Sequence, residues 1–242
     1  MTELVMEATG VAKVLGQGPG QVRALKGVNL SLKGGELTLL MGPSGSGKTT
    51  LLSILGCMLT PTEGTVRVRG DSIAGKMPED LAKLRRENIG FVFQSYHLFP
   101  TLTAVDNVRL SLDVRGETGK AAKAKSREAL DRVGLSHKTS SYPRELSGGE
   151  QQRVAIARAV VGGPSVILAD EPTAALDSEN GKAIMGILAE IAKEPGRGVL
   201  VVTHDPRLVP FADRIVHIED GNIVREEPGG AGRNTQQVSG RA

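Results

Sequence analysis

Between Gly42 and Thr50 the chain reads Gly-Pro-Ser-Gly-Ser-Gly-Lys-Thr-Thr, which matches G-x-x-x-x-G-K-[ST] at every fixed position. Few local patterns restrict a fold so strongly. Gly42, Gly45 and Gly47 let the backbone curl so that successive N–H groups converge on phosphate oxygens. Pro43, Ser44 and Ser46 fill the turn. Lys48 adds a point charge for the β- and γ-phosphates, and the Thr49 hydroxyl suits Mg²⁺. Such a loop needs a strand before it and a helix after it. Glu36 to Met41 (ELTLLM) is a short apolar strand, and Thr50 to Leu59 (TLLSILGCML) reads as a helix whose N-terminus faces the anion.

The remaining sequence predicts a parallel sheet covered on both faces. Short all-apolar strands are expected at Ile89–Phe93, Val166–Ala169 and Val199–Val202, and helices fall between them. The first third is β-rich, with strands expected at Leu4–Gly10, Leu25–Leu32 and Thr65–Arg69. Gly16 to Gly20 forms a turning connection. A short helix is expected over Pro78–Arg86. Thr101 to Val161 reads as mostly helical, and Ser178–Lys193 as a helix ended by Pro195-Gly196. Arg207–Ala212 is a short helix, and Arg214–Ile218 with Asn222–Arg225 a hairpin around Asp220-Gly221. At 242 residues the chain makes one large α/β domain or two small ones. Residues 226–242, Gly-rich and polar, are expected to be a disordered tail.

Composition narrows the class further. Thirty basic against 27 acidic residues give a formal charge of +3, and no basic run forms the stripe that nucleic-acid binding needs. The Lys/Arg between Lys120 and Arg132 alternate with Ala at helical spacing and read as a solvated face. No apolar run approaches the length that spans a bilayer. Met1–Gly10 lacks the basic start and apolar stretch of a signal peptide. A single cysteine, Cys57, excludes an internal disulfide.

Two further motifs carry chemistry. The strand Val166–Ala169 ends in Asp170-Glu171, and in phosphate-loop nucleotidases such a strand supplies the carboxylate for Mg²⁺, here Asp170. Glu171 is then placed to polarise a water toward the γ-phosphate. Leu146-Ser147-Gly148-Gly149-Glu150 combines a good N-cap, Ser147, with an open helix start, a second anion site.

The run LSGGEQQRVAIARA beside a phosphate loop strongly resembles the signature of ATP-binding cassette (ABC) ATPases. Phosphate loop, Gln94, signature, Val166–Glu171, Ala175-Leu176-Asp177 and His204 follow the family's order over about Leu4 to Arg225. The resemblance implies one α/β phosphate-loop nucleotide-binding domain over residues 4–225, with an N-terminal antiparallel β subdomain and a helical subdomain at about 95–160 inserted in the core, binding ATP and Mg²⁺. It implies catalysis by Glu171, His204 and Lys48, and nucleotide contacts from Gly42 through Thr50, Gln94, Ser147, Gly148, Gly149, Asp170, Glu171 and His204. Thr49, Gln94 and Asp170 would hold the metal. Ser147 and Gly149 would reach the γ-phosphate held by a second subunit, and Asp177 would cross between the two sites. A head-to-tail homodimer sandwiching two ATP is therefore implied. The other histidines, His97, His137 and His217, match nothing.

The same stretches look most like the bacterial group serving macrolide and lipid export, haem efflux and lipoprotein release. That resemblance implies integral membrane permease subunits contacting the region after Gln94, through some of Tyr96, Leu98, Phe99 and Leu102. It places the chain at the cytoplasmic face of the inner membrane. Amino-acid-type importers and regulators of cell-wall hydrolases remain alternatives. One departure stands out. ABC ATPases usually stack adenine on an aromatic residue upstream of the loop, where this chain has Leu15, and no Phe, Tyr or Trp occurs before Phe91.

Overall fold

The computed structural model describes residues 3–231. Its centre is a six-stranded sheet ordered β10-β9-β3-β8-β7-β6, formed by β3 (Leu37–Met41), β6 (Ile89–Val92), β7 (Val166–Asp170), β8 (Gly198–Thr203), β9 (Arg214–Glu219) and β10 (Asn222–Pro228). All neighbours pair in parallel except the β9–β10 hairpin. The all-apolar runs are explained by burial on both faces. Leu39, Ile167, Ala169, Val199 and Val201 point into one core, while Leu40, Val166, Leu168, Leu200 and Val202 point into the other. Alternation with period two sends neighbours to opposite sides, so both must be apolar. Removing one such side chain, as in Leu39→Ala, costs about 2–5 kcal/mol.

The first core is closed by α3 (Ala104–Asp113), α4 (Gly119–Arg132), α5 (Gly148–Val160) and α6 (Ser178–Ala192). The second packs α1 (Lys48–Leu55) against a four-stranded antiparallel sheet ordered β2-β1-β4-β5. Its strands are β1 (Leu4–Leu15), β2 (Val22–Lys33), β4 (Glu63–Val68) and β5 (Asp71–Ser72). A further helix, α2 (Pro78–Asn88), precedes β6.

The structure corrects several expected bounds. α1 stops at Leu55 rather than Leu59, because Gly56 takes the C-cap and Cys57 turns left-handed at φ 54°. A β-carbon on Gly56 would lie 2.8 Å from the Phe91 ring, so the glycine also admits that ring. Burial of the Cys57 thiol pushes its pKa up to about 11. β1 and β2 are each 12 residues long, extending well past the expected spans to meet at Leu15 and Val22. Order also continues beyond Arg225. β10 runs to Pro228, and the N–H groups of Gly229 and Gly230 donate to Asp213 and Val209 carbonyls at 2.8 and 3.1 Å. Residues 226–231 are thus not a tail, and the rest of that expected tail, 232–242, lies outside the described residues.

Candidate functional site

β3, β7 and β8 all end at the same edge of the parallel sheet, with Met41 beside Thr203 and Asp170 beside Val202 in register. Crevices at the carboxyl ends of parallel strands are the usual place for a ligand. A cleft of about 790 Å³ opens there. It is lined by Pro43, Ser44, Gly45, Gly47, Lys48, Thr49 and Thr50 of the loop, and by Gln94, Asp170, Glu171 and His204.

The loop's glycines are required by space. A β-carbon on Gly42 would sit 2.0 Å from the Ile218 carbonyl oxygen. One on Gly47, at φ +100°, would sit 2.6 Å from the Ala24 oxygen. Gly47 caps α1 without a side-chain hydrogen bond, so the first-turn N–H groups are left for an anion. Lys48 Nζ donates to the carbonyls of Gly42 and Pro43 at 2.8 and 2.7 Å, which holds the ammonium over the loop. Ser46 is buried behind the loop with its Oγ unpartnered.

On the opposite wall two carboxylates stand in sequence. Burial, and then the neighbouring Glu171 charge, raise the Asp170 pKa, while Lys48 pulls it back. An unneutralised carboxylate in that position fits a divalent cation. Among the described residues no cluster of three or more His, Cys, Asp or Glu is placed to hold a metal. Thr49, Gln94 and Asp170, which line the cleft, offer a hydroxyl, an amide and one carboxylate, a sparse set of the kind that suits Mg²⁺ when phosphates and water complete the shell. Glu171 occupies a left-handed backbone conformation at φ 45°, fixed by donation from its N–H to the Val202 carbonyl at 3.0 Å. Its Oε1 lies 2.7 Å from His204 Nδ1. The imidazole is largely exposed and the carboxylate mostly covered.

Ser147, Gly148 and Gly149 do not line this cleft. Ser147 caps α5 in a full capping box, its Oγ accepting from the Glu150 N–H and Glu150 accepting from the Ser147 N–H. Those bonds hold the Glu150 carboxyl below the usual range. Asp177 caps α6 and is likewise away from the cleft.

The segment after Gln94 is a rigid turn. Tyr96 and His97 are both left-handed, and Arg158 of α5 donates to their carbonyls at 2.7 and 2.6 Å. Buried Asn107 accepts from the Phe99 N–H and donates to the carbonyls of Phe99, Leu102 and Thr103. Tyr96 is half-buried, Leu98 packs on the core, and Phe99 is 54% exposed. Phe99 borders a groove of about 590 Å³ with Phe91, Phe93, His97, Val114 and Arg158.

Sequence reading missed one end of the cleft, formed by Arg23, Ala24, Asp220 and Gly221 beside Leu15 and Val22. Asp220-Gly221 carried a turn signal only. Its role in the wall follows from Gly221, where a β-carbon would meet the Ala24 oxygen at 2.8 Å.

A strand–loop–helix phosphate cradle facing two carboxylates at a parallel-sheet edge defines a phosphate-loop nucleotide-binding cassette. The ABC transporter family profile matches residues 25–174, and the chain belongs to that family. It is 46% identical over 228 residues to the macrolide export ATP-binding/permease protein MacB of Shigella flexneri, covering 94% of this chain and 35% of that protein. The same figures hold for MacB of Escherichia coli strain K12. The chain thus spans about a third of the length of these relatives. The ATP-binding cassette MJ0796, solved as a dimer in a post-hydrolysis state with ADP and Pi, superposes with a TM-score of 0.84 at 43% identity, over 92% of this chain and 98% of that one. CbiO1 of Clostridium perfringens, part of the complex cbiONQ, superposes with a TM-score of 0.84 at 29% identity. This is an ABC-type ATPase cassette. Among the described residues no helix is long and apolar enough to cross a membrane.

Proposed function

We propose that the chain binds and hydrolyses ATP to drive a bacterial ABC exporter of the kind its MacB relatives are named for. The observation that carries this is the division of the motifs. Lys48, Asp170, Glu171 and His204 share one cleft, while Ser147–Gly149 open elsewhere. A single copy therefore holds half a site, and a second copy placed head to tail supplies the other half. The loop amides and Lys48 hold the β- and γ-phosphates, and Ser147 and Gly149 of the opposite copy cover the γ-phosphate. When bound, Mg²⁺ held by Thr49, Gln94 and Asp170 supplies charge neutralisation on the phosphates. Glu171 Oε accepts the proton of the attacking water as its oxygen bonds to the γ-phosphorus and the bond to the ADP oxygen breaks. His204 orients that carboxylate and reaches toward the γ-phosphate.

In this reading the groove beside Phe99 receives a cytoplasmic segment of the permease, and the cassette works at the inner face of the cell membrane. The segment between residues 95 and 160 carries the signature and part of this groove, Phe99, Val114 and Arg158 among its lining. Glu171→Gln tests the reading. ATP binding should persist, hydrolysis should fall at least 100-fold, and an ATP-bound dimer should accumulate in sedimentation. Near-normal turnover would remove Glu171 from its role.

A further inference from the structure

Asp177 and the signature Ser147–Gly149, which stand outside the cleft at the N-termini of α6 and α5, meet at one side chain. Asn180, in the first turn of α6, donates from Nδ2 to Asp177 Oδ2 at 2.6 Å. Its own N–H and that of Glu179 donate to Asp177 Oδ1 at 2.9 and 3.0 Å. Both carboxylate oxygens are thereby fixed, and the Asn180 amides hold the Asp177 pKa below its ordinary value. On its other side Asn180 faces the signature. A β-carbon on Gly149 would come within 2.8 Å of Asn180 Oδ1 and 3.1 Å of its Cγ.

Gly149 lies inside α5 and is not among the glycines with positive φ. Its backbone conformation would suit alanine, which is the better helix former. Space, not conformation, demands glycine here, and in this chain the space is filled by Asn180. Gly148 is hemmed in similarly by the Tyr96 hydroxyl, 2.9 Å from where its β-carbon would be.

We propose that Asn180 is a positioning residue that fixes the signature turn and the Asp177 carboxylate at one spacing, so that both meet a second copy of the chain preformed. The inference rests on the dimer reading above. Asn180 does not line the cleft, so its loss should act on assembly and leave nucleotide binding alone.

The test uses the full chain with Glu171→Gln, with ATP-driven self-association and nucleotide affinity measured separately. Asn180→Ala should weaken self-association about tenfold, the scale of one lost hydrogen bond to a charged group. The affinity for a fluorescent ATP analogue should stay within about twofold, since no cleft contact is removed. In the otherwise native chain kcat should fall with KM nearly unchanged. Gly149→Ala should abolish self-association, and Gly149→Ala with Asn180→Ser should regain much of it, because the smaller side chain vacates the space. Undiminished association of Asn180→Ala, or a double variant no better than Gly149→Ala, would overturn the proposal. Amide exchange at residues 148–151 and 178–181 of the nucleotide-free chain decides it independently. Asn180→Ala should speed exchange at both turns, and unchanged exchange overturns it. If the Glu171→Gln parent itself fails to associate, the dimer reading falls and exchange alone judges Asn180.

Discussion

Leu15→Tyr should tighten ATP binding, and the size of the gain follows from the cleft. Leu15 and Val22 are cross-strand partners at the end of β1 and β2, 39% and 62% exposed, and they face the cleft beside Arg23 and Ala24. This end offers aliphatic surface but no ring. Among the described residues lining the cleft, the polar side chains nearest this end are Arg23, paired with Glu63 at 3.5 Å, and Asp220, paired with Lys26 at 2.5 Å. A base lodged here gains partial burial, and the two polar side chains at this end are already engaged in ion pairs. Aromatic–base stacking is worth roughly 1–3 kcal/mol, and part of that is already supplied by leucine contact. The net gain should be about 1–2 kcal/mol, or roughly 5–30-fold in Kd. Tyrosine also suits a strand end. Equilibrium titration of Glu171→Gln with ATP and GTP, with and without Leu15→Tyr, measures it. The parent should bind the two nucleotides within about threefold of each other, because Arg23 and Asp220, the polar side chains at this end, are already paired. Equal ATP affinity with and without Leu15→Tyr, together with strong rejection of GTP, would show that another group holds the base.

Lys48→Ala removes the charge held over the loop and should weaken ATP binding itself by at least tenfold, read by the same titration. Phe99→Asp should uncouple transport in membranes while basal ATPase activity stays within twofold, since Phe99 borders the outer groove and not the cleft; equal loss of both would assign it to the core. Glu150→Gln keeps the capping-box acceptor but loses its charge, and should lower stability by about 0.3–1 kcal/mol at pH 7. Because the folded Glu150 pKa is depressed, that contribution is present above the unfolded value of 4.5 and disappears as pH falls through the folded value. Denaturation at pH 7 and pH 3 should therefore show the difference between variant and parent shrinking in acid.

The loop and the inner strands were legible because a single physical demand dictates each. Gly42 and Gly47 face carbonyls with no room for a side chain, and Val199–Val202 is buried on both faces. Where two demands compete, the sequence misleads. β1 and β2 read short because register shifts between Ala8 and Val11 and between Lys13 and Val14 break their alternation, and Gly10 turns left-handed within the strand. β10 hid its last residues behind Glu226 and Glu227, ordinary on an edge strand whose side chains meet water. Around the cleft, every motif residue on a sheet end was legible. Arg158, which ties the Gln94 turn to α5, was not, since its partners are backbone carbonyls far off in sequence, and Asn180, only three residues after Asp177, was not, since its approach to Gly149 is long-range.

Glu171 holds a conformation that glycine, asparagine or aspartate would adopt at lower cost, with φ at 45°. Replacement there relieves backbone strain and also thins the repulsion that burdens Asp170. A library of this chain selected for heat resistance alone would accordingly drift away from glutamate at 171, and on the role proposed for Glu171 its most robust members would be silent enzymes. The same drift makes the position a counter-selection marker. Any thermostable variant that retains Glu171 must have gained its robustness elsewhere.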